Sequence, residues 1–241
     1  EDRFVRDALV DYGHRAVAVT PIRAEGELIG LLLASWEDDD HDGIGEQEHV
    51  DALAGIADQA GLAILRVRLL EEVRHAASHD ALTGLANRQL FGDRVELALA
   101  DNRRSGLRCA VAFIDLDGFK QVNDHHGHAA GDQVLVEVAT RIRETLRETD
   151  SVARLAGDEF AVLLRDLDDD TAVERVARSL RDALRVPYRL DDAVCRLSAS
   201  IGVAFAPEHG DSAEALIKTA DAAMYQVKGE DDGDGFLIAS R

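Results

Sequence analysis

The feature that most restricts what this chain can fold into is the alternation it keeps from Asp80 onward. Short continuous apolar runs take turns there with stretches whose apolar residues recur every three or four positions. Continuous runs of that length read as strands buried on both faces, and the recurring pattern reads as helices with one apolar side. A helix is expected after Asn87, then a strand at Cys109 to Ile114 that ends in Asp115-Leu116-Asp117. The stripe Val134, Leu135, Val138, Ile142, Leu146 predicts the next helix. Val152 to Leu155 and Phe160 to Leu164 read as two strands joined by the tight turn Ala156-Gly157-Asp158-Glu159. A helix near Thr171 to Leu184, a strand at Leu197 to Ala206, a helix near Ser212 to Val227 and a strand at Phe236 to Ile238 complete the series. The order αβαββαβαβ, with the middle strands as a hairpin, suits an α+β fold of ferredoxin-like or palm type around an antiparallel-containing central sheet.

The first third of the chain reads differently. Arg15 to Ile22 and Leu28 to Ser35 flank Glu25-Gly26-Glu27 as a β-hairpin would, and an acidic loop follows at Glu37 to Asp42. Leu53, Ile56, Ala60, Ala63, Val67 and Leu70 then form a heptad seam, broken where Arg74 takes the next core slot. That seam predicts either a parallel coiled coil feeding the next domain or a helix docked on its own domain. With 241 residues the chain holds more than one small domain.

Composition narrows the function. A formal charge of −20 argues against a nucleic-acid or anionic-membrane surface, so an anionic ligand would need a metal or local cations. Cys109 and Cys195 stand in apolar runs without metal-ligand spacing and are expected to be reduced core thiols. The longest apolar run, Leu28 to Trp36, is about half the length needed to span a bilayer. The chain opens on Glu1 without a basic leader, which suggests a cytoplasmic piece of something longer.

Chemistry is expected where acids end apolar strands. Asp115 and Asp117 close one strand, and Asp158 and Glu159 form a hairpin tip able to lie beside it. Carboxylates in such a cleft are costly unless paired or bound to a cation, and hard oxygens without His or Cys suit Mg²⁺ or Mn²⁺. Turn and capping aspartates are the plainer alternative. Of the three lysines, Lys120 and Lys228 could meet phosphates, but by composition and spacing alone all three, Lys218 included, read as surface. His125, His126 and His128 lack helical ligand spacing and read as loop or packing residues.

These residues fall into a known order. Asp80-Ala-Leu-Thr-Gly-Leu-Ala-Asn-Arg88, Phe113-Ile-Asp-Leu-Asp117 with Phe119-Lys120, Asn123-Asp124, Gly127-His128, Gly131-Asp132, Ala156-Gly-Asp-Glu-Phe160, Ser200-Ile-Gly-Val203 and Ala220-Asp-Ala-Ala-Met-Tyr225 with Lys228 closely resemble the GGDEF diguanylate cyclase domain. The resemblance runs from about Ser78 to the last residue. It implies condensation of two GTP into cyclic di-GMP with release of two pyrophosphates, in a homodimer whose protomers each present one GTP. By position it implies Asp115, the Leu116 carbonyl and Asp158 as Mg²⁺ (or Mn²⁺) ligands, and Asp158 and Glu159 as catalytic carboxylates. Asn123 and Asp132 would read guanine, and Lys120 and Lys228 would contact phosphates. Arg147 and Asp150 stand where the family carries an RxxD product-inhibition site, although Arg165 to Asp168 and Arg189 to Asp192 share the bare spacing.

Two departures follow. Ala156 replaces the first glycine of the signature, at a cost of about 1 kcal/mol if its φ is positive. After Lys228 the usual arginine is replaced by Glu230-Asp231-Asp232-Gly233-Asp234, which predicts weaker GTP binding. The N-terminal piece resembles, more loosely, the C-terminal half of a GAF domain. The expected division is a partial GAF-like segment at 1–45, a connecting helix at 46–79 and a GGDEF domain at 80–241. An active, dimerisation-controlled cyclase is the leading expectation. The alternative is a catalytically impaired module that binds GTP or cyclic di-GMP and regulates a partner or another domain.

Overall fold

The computed structural model describes residues 16–36, 47–167, 169–190, 193–229 and 235–240. They form two compact units, divided between His75 and Ala76. In the first unit β1 (Ala16–Ala24) and β2 (Glu27–Trp36) pair antiparallel, and both turn residues, Glu25 and Gly26, take positive φ. Helix α1 (Gln47–Ser78) follows. It approaches β1 so closely that a Cβ on Gly61 would overlap the Arg23 carbonyl oxygen, and Ala57, one turn earlier, is buried. The seam residues Ile56, Val67 and Leu70 remain exposed, because the docked stripe runs through Ala57 and Gly61 and a heptad seam turns away from it. The acidic loop Glu37 to Asp42 lies outside the described residues.

The second unit contains α2 (Arg88–Ser105), β3 (Arg108–Asp117), α3 (Phe119–His126), α4 (His128–Thr145), β4 (Ser151–Ala156), β5 (Glu159–Leu167), α5 (Asp170–Leu184), β6 (Tyr188–Arg189), β7 (Val194–Cys195), β8 (Ser198–Ala206), α6 (Ala213–Lys228) and β9 (Gly235–Ile238). One sheet has the order β4-β5-β3-β8-β9, antiparallel throughout except for the β8–β9 pair. The β3-α4-β4-β5-α5-β8 series is thus the α+β split arrangement that the element order predicts. Strands β6 and β7 form a separate small ribbon.

β3 reads as one apolar run because both of its faces are covered. Ala110, Ala112 and Ile114 face Val134, Val138 and Ile142 of α4 and Leu180 of α5. Val111 and Phe113 face Phe91 and Val95 of α2 and Leu216 and Met224 of α6. Side-chain alternation then puts Asp115 and Asp117 on the α2/α6 face, where the strand leaves the core. Asn87, Asp169 and Ser212 cap the N-termini of α2, α5 and α6 by accepting from Leu90, Ala172 and Ala215 N–H groups.

Two expectations change here. The segment before Gly127, whose histidines read from sequence as loop or packing residues, is helix α3, with His125 and His126 exposed in its last turn. Ala156 does not take a positive φ; Gly157 does, at 46°. The backbone penalty attached to Ala156 therefore does not arise.

Candidate functional site

The site begins where β3 ends. Asp115 is 7% exposed, and Lys228 Nζ donates to its Oδ1 at 2.6 Å. Lys228 arrives there as the last residue of α6, a helix that lies directly on β8: a Cβ on Gly202 would overlap the Ala220 carbonyl oxygen and the Met224 amide. Burial disfavours the ammonium, but the hydrogen bond and field of Asp115 outweigh it and raise the Lys228 pKa. Asp117 accepts from Ser200 Oγ at 3.1 Å to each carboxylate oxygen and from Ser198 Oγ at 3.4 Å. Burial raises its pKa, the Ser200 bond works against that rise, and the Asp115 charge adds to it.

Glu159 stands directly opposite Asp115 in the β3–β5 register, while Ser200 flanks Asp115 from β8. Asp158 and Glu159 both titrate above the ordinary range. For Asp158 the cause is burial and then the charge of Asp115. For Glu159 it is burial, opposed by Arg88 at 3.7 Å and reinforced by Asp221, Asp115 and Asp158. Carboxylates held this way repel one another and favour either a proton or a cation among them.

The hairpin tip is braced from the segment that opens the unit. Arg154 donates from Nη1 to both carboxylate oxygens of Asp80, at 3.1 and 3.2 Å, and from Nε to the Gly157 carbonyl at 2.9 Å. Asp80 also accepts from the Thr83 amide at 2.9 Å and hydroxyl at 2.6 Å. Burial works against the Asp80 charge, but these bonds outweigh it and hold its pKa below the usual carboxylate value. Asp80 is thereby the brace of the hairpin tip.

The donor set suits a hard divalent cation. Asp115, Asp158 and the Leu116 carbonyl offer oxygen only, and the β5 ladder ends at Asp115, just before Leu116. Among the described residues no three His, Cys, Asp or Glu side chains enclose a metal by themselves. A Mg²⁺ ion takes one or two carboxylates and completes its shell with phosphate oxygens and water.

Lys120 and Asn123 ride on α3, which follows Asp117 after Gly118 at φ 83°. Lys120 is exposed, Asn123 half-buried and Asp132 exposed on α4. Asn123 lies against the first turns of α4 because Gly131 has no side chain: a Cβ there would overlap Asn123 Oδ1. This brings the amide of Asn123 beside the turn that carries Asp132. Lys218, read from sequence as surface, lines a groove of about 420 Å³ with Arg88, Glu159 and Asp221.

Arg147 and Asp150 lie between α4 and β4. The carboxylate of Asp150 accepts from the backbone N–H groups of Arg147 at 3.2 Å and Arg165 at 3.3 Å. Asp150 is therefore the anchor of a turn, and the Arg147 guanidinium stays out of that contact. Of the competing spacings, Arg165 pairs with Asp101 at 2.8 Å, while Asp168 and Asp192 lie outside the described residues, as does the acidic stretch 230–234. Sequence reasoning missed the two serines on Asp117, the Arg154–Asp80 brace and the Arg88–Glu159 pair. Each depends on cross-strand or long-range neighbours, and the hint in the sequence was that Asp80, Arg88 and Ser200 stand inside the family's motif blocks.

Comparison with known proteins places the chain in a family. The family model "Diguanylate cyclase, GGDEF domain" matches residues 77–233, and the GAF domain model matches residues 1–64. Diguanylate cyclase TpbB of Pseudomonas aeruginosa is 47% identical over 68% of this chain and 38% of its own length. MucR of the same organism, a bifunctional diguanylate cyclase/cyclic di-GMP phosphodiesterase, is 45% identical over 69% of this chain and 24% of its own. The chain thus spans about two fifths or less of these relatives. The solved GGDEF domain of TpbB superposes with a TM-score of 0.65 at 47% identity, over 67% of this chain and 94% of that one. The coiled coil and GGDEF domain of DgcB from Caulobacter crescentus, in complex with c-di-GMP, gives 0.70 at 28% identity over 77% and 98%. The family model covers well over half of the chain, and the chain belongs to the diguanylate cyclase GGDEF-domain family.

Proposed function

We propose that this chain condenses two GTP into cyclic di-GMP and two pyrophosphates as a homodimer, each protomer presenting one GTP to the other. The observation that carries the reading is the meeting of Asp115, Glu159 and Lys228 at one sheet end, with Asp158 electrostatically coupled to Asp115. Lys120 and Lys228 hold the phosphates as point charges. Asp132 accepts from the guanine N1 and N2 donors and Asn123 donates to a ring acceptor. Asp115, Asp158 and the Leu116 carbonyl would hold Mg²⁺ or Mn²⁺, which when bound neutralises the triphosphate. The 3′-oxygen of one GTP forms a bond to the α-phosphorus of the other, the bond to pyrophosphate breaks, and Asp158 or Glu159 takes the hydroxyl proton.

The domain division in this reading is a partial GAF-like segment at 1–45, a connecting helix at 46–79 and the cyclase domain at 80–241, with dimer contacts along the exposed α1 seam. Cyclic di-GMP inhibits through Arg147 and Asp150, and GTP as substrate points to a cytoplasmic setting. Among the described residues no helix is long and apolar enough to cross a membrane. One observation favours the second reading, an impaired regulatory module: acids follow Lys228 where a phosphate-binding arginine is usual. Product analysis after incubation with GTP and Mg²⁺ over a range of protein concentrations tests both, with Asp158→Ala as control. Cyclic di-GMP appearing faster than linearly with protein supports the cyclase. Bound GTP without product supports the module.

A further inference from the structure

A cleft of about 300 Å³, sharing no lining residue with the carboxylate cluster, is walled by three arginines from three places in the chain. Arg94 comes from α2, Arg143 from the last turn of α4 and Arg147 from the turn before β4. Among the described residues none of the three guanidinium groups has an ion-pair partner. That is unusual in a chain with 47 acids against 27 bases. Two acids also line the cleft, but Asp150 is engaged by two backbone N–H groups, which leaves Glu148 against three positive charges. Arg143 has a partial explanation in its favourable position at a helix C-terminus. Arg94 and Arg147 have none of that kind.

We propose that Arg94 and Arg143 join Arg147 in one anion site that grips the two phosphodiesters of a cyclic dinucleotide. The inference rests on the reading of Arg147 and Asp150 as the product-inhibition site and adds two residues outside that motif. Guanidinium groups suit the ligand twice over: they bond phosphate oxygens in a fork, and their flat faces stack on purines. Pyrophosphate, the other product, shares the double negative charge but offers no ring to stack.

Calorimetric titration of the whole chain with cyclic di-GMP, and separately with pyrophosphate, tests the assignment, using Arg94→Ala, Arg143→Ala and Arg147→Ala. The expected result is a Kd for cyclic di-GMP weakened about tenfold or more by each, the scale of a charge-assisted hydrogen bond removed. Arg94→Lys and Arg143→Lys keep the charge and lose the fork, and serve where an alanine lowers Tm. They too should bind more weakly. If Arg147→Ala weakens binding while the Arg94 and Arg143 variants match the parent, this inference falls and the product-inhibition reading stands. If none of the three alters Kd, both fall. Tighter binding of pyrophosphate than of cyclic di-GMP, lost in the same variants, would overturn the assignment to a cyclic dinucleotide.

Discussion

Asp158 carries a conflict between its charge and its surroundings. Its carboxyl is raised above 3.8 by burial and by Asp115, so the folded state binds a proton more tightly than the unfolded chain does. Stability then falls as pH rises from 3.8 through the folded value, and at neutral pH the ionised group opposes folding. Asp158→Asn should therefore raise Tm, by on the order of 1–3 °C once solvent screening is allowed for, while turnover is lost. Mg²⁺ should raise the Tm of the parent more than that of the variant, and thermal melts with and without the ion check both. A fall in Tm for Asp158→Asn would mean that the charge is better compensated than the geometry indicates. Gly131 offers a second test. Gly131→Ala puts a methyl group onto Asn123 Oδ1, and the expected result is a KM for GTP raised about tenfold with kcat less affected. Steady-state kinetics reads this directly, and an unchanged KM would remove Asn123 from guanine recognition.

At the scale of elements, α6 delivers Lys228 to Asp115 because β8 has a glycine where the helix backbone lies on it. Gly202→Ala should destabilise the fold by about 1–3 kcal/mol and weaken GTP binding along with it, since α6 must move to admit a Cβ. Denaturant unfolding and GTP titration measure the two effects. The elements differ in how far they can be read from sequence. β3, β5 and β8 are legible because an unbroken apolar run has few other uses, and α4 because its stripe holds the helical period over several turns. α3 was not legible: of its 8 residues Phe119 and Val122 are buried, too few to establish a period, and its ends are set by Gly118 and Gly127 at positive φ. The β6–β7 ribbon, two residues a strand, escapes for the same reason.

For the whole molecule, the exposed seam of α1 is where the proposed homodimer makes its contact. Val67 and Leu70 are 54% and 53% exposed, an arrangement that costs a lone chain solubility and suits a second helix. Val67→Glu with Leu70→Glu should shift sedimentation toward monomer and lower specific activity most at low protein concentration, with GTP binding per protomer retained. Equal activity of parent and double variant at every concentration would take the seam out of dimer control.

What the sequence by itself determined is the local grammar: which stretches are strands or helices, and which residue types stand at their ends. Asp115, Asp158 and Glu159 stood out as candidates because carboxylates that close apolar runs are costly unless paired or bound to a cation, whereas Lys228 stood out only through the family resemblance. What only the tertiary structure decided is who meets whom. That Glu159 faces Asp115, that Ser200 holds Asp117, that Arg154 ties the hairpin tip to Asp80 and that Gly157 rather than Ala156 bears the strained turn are outcomes of register and of helix placement on the sheet. Periodicity reports a residue's face relative to its own element, while register between distant strands is settled by the packing of the whole core.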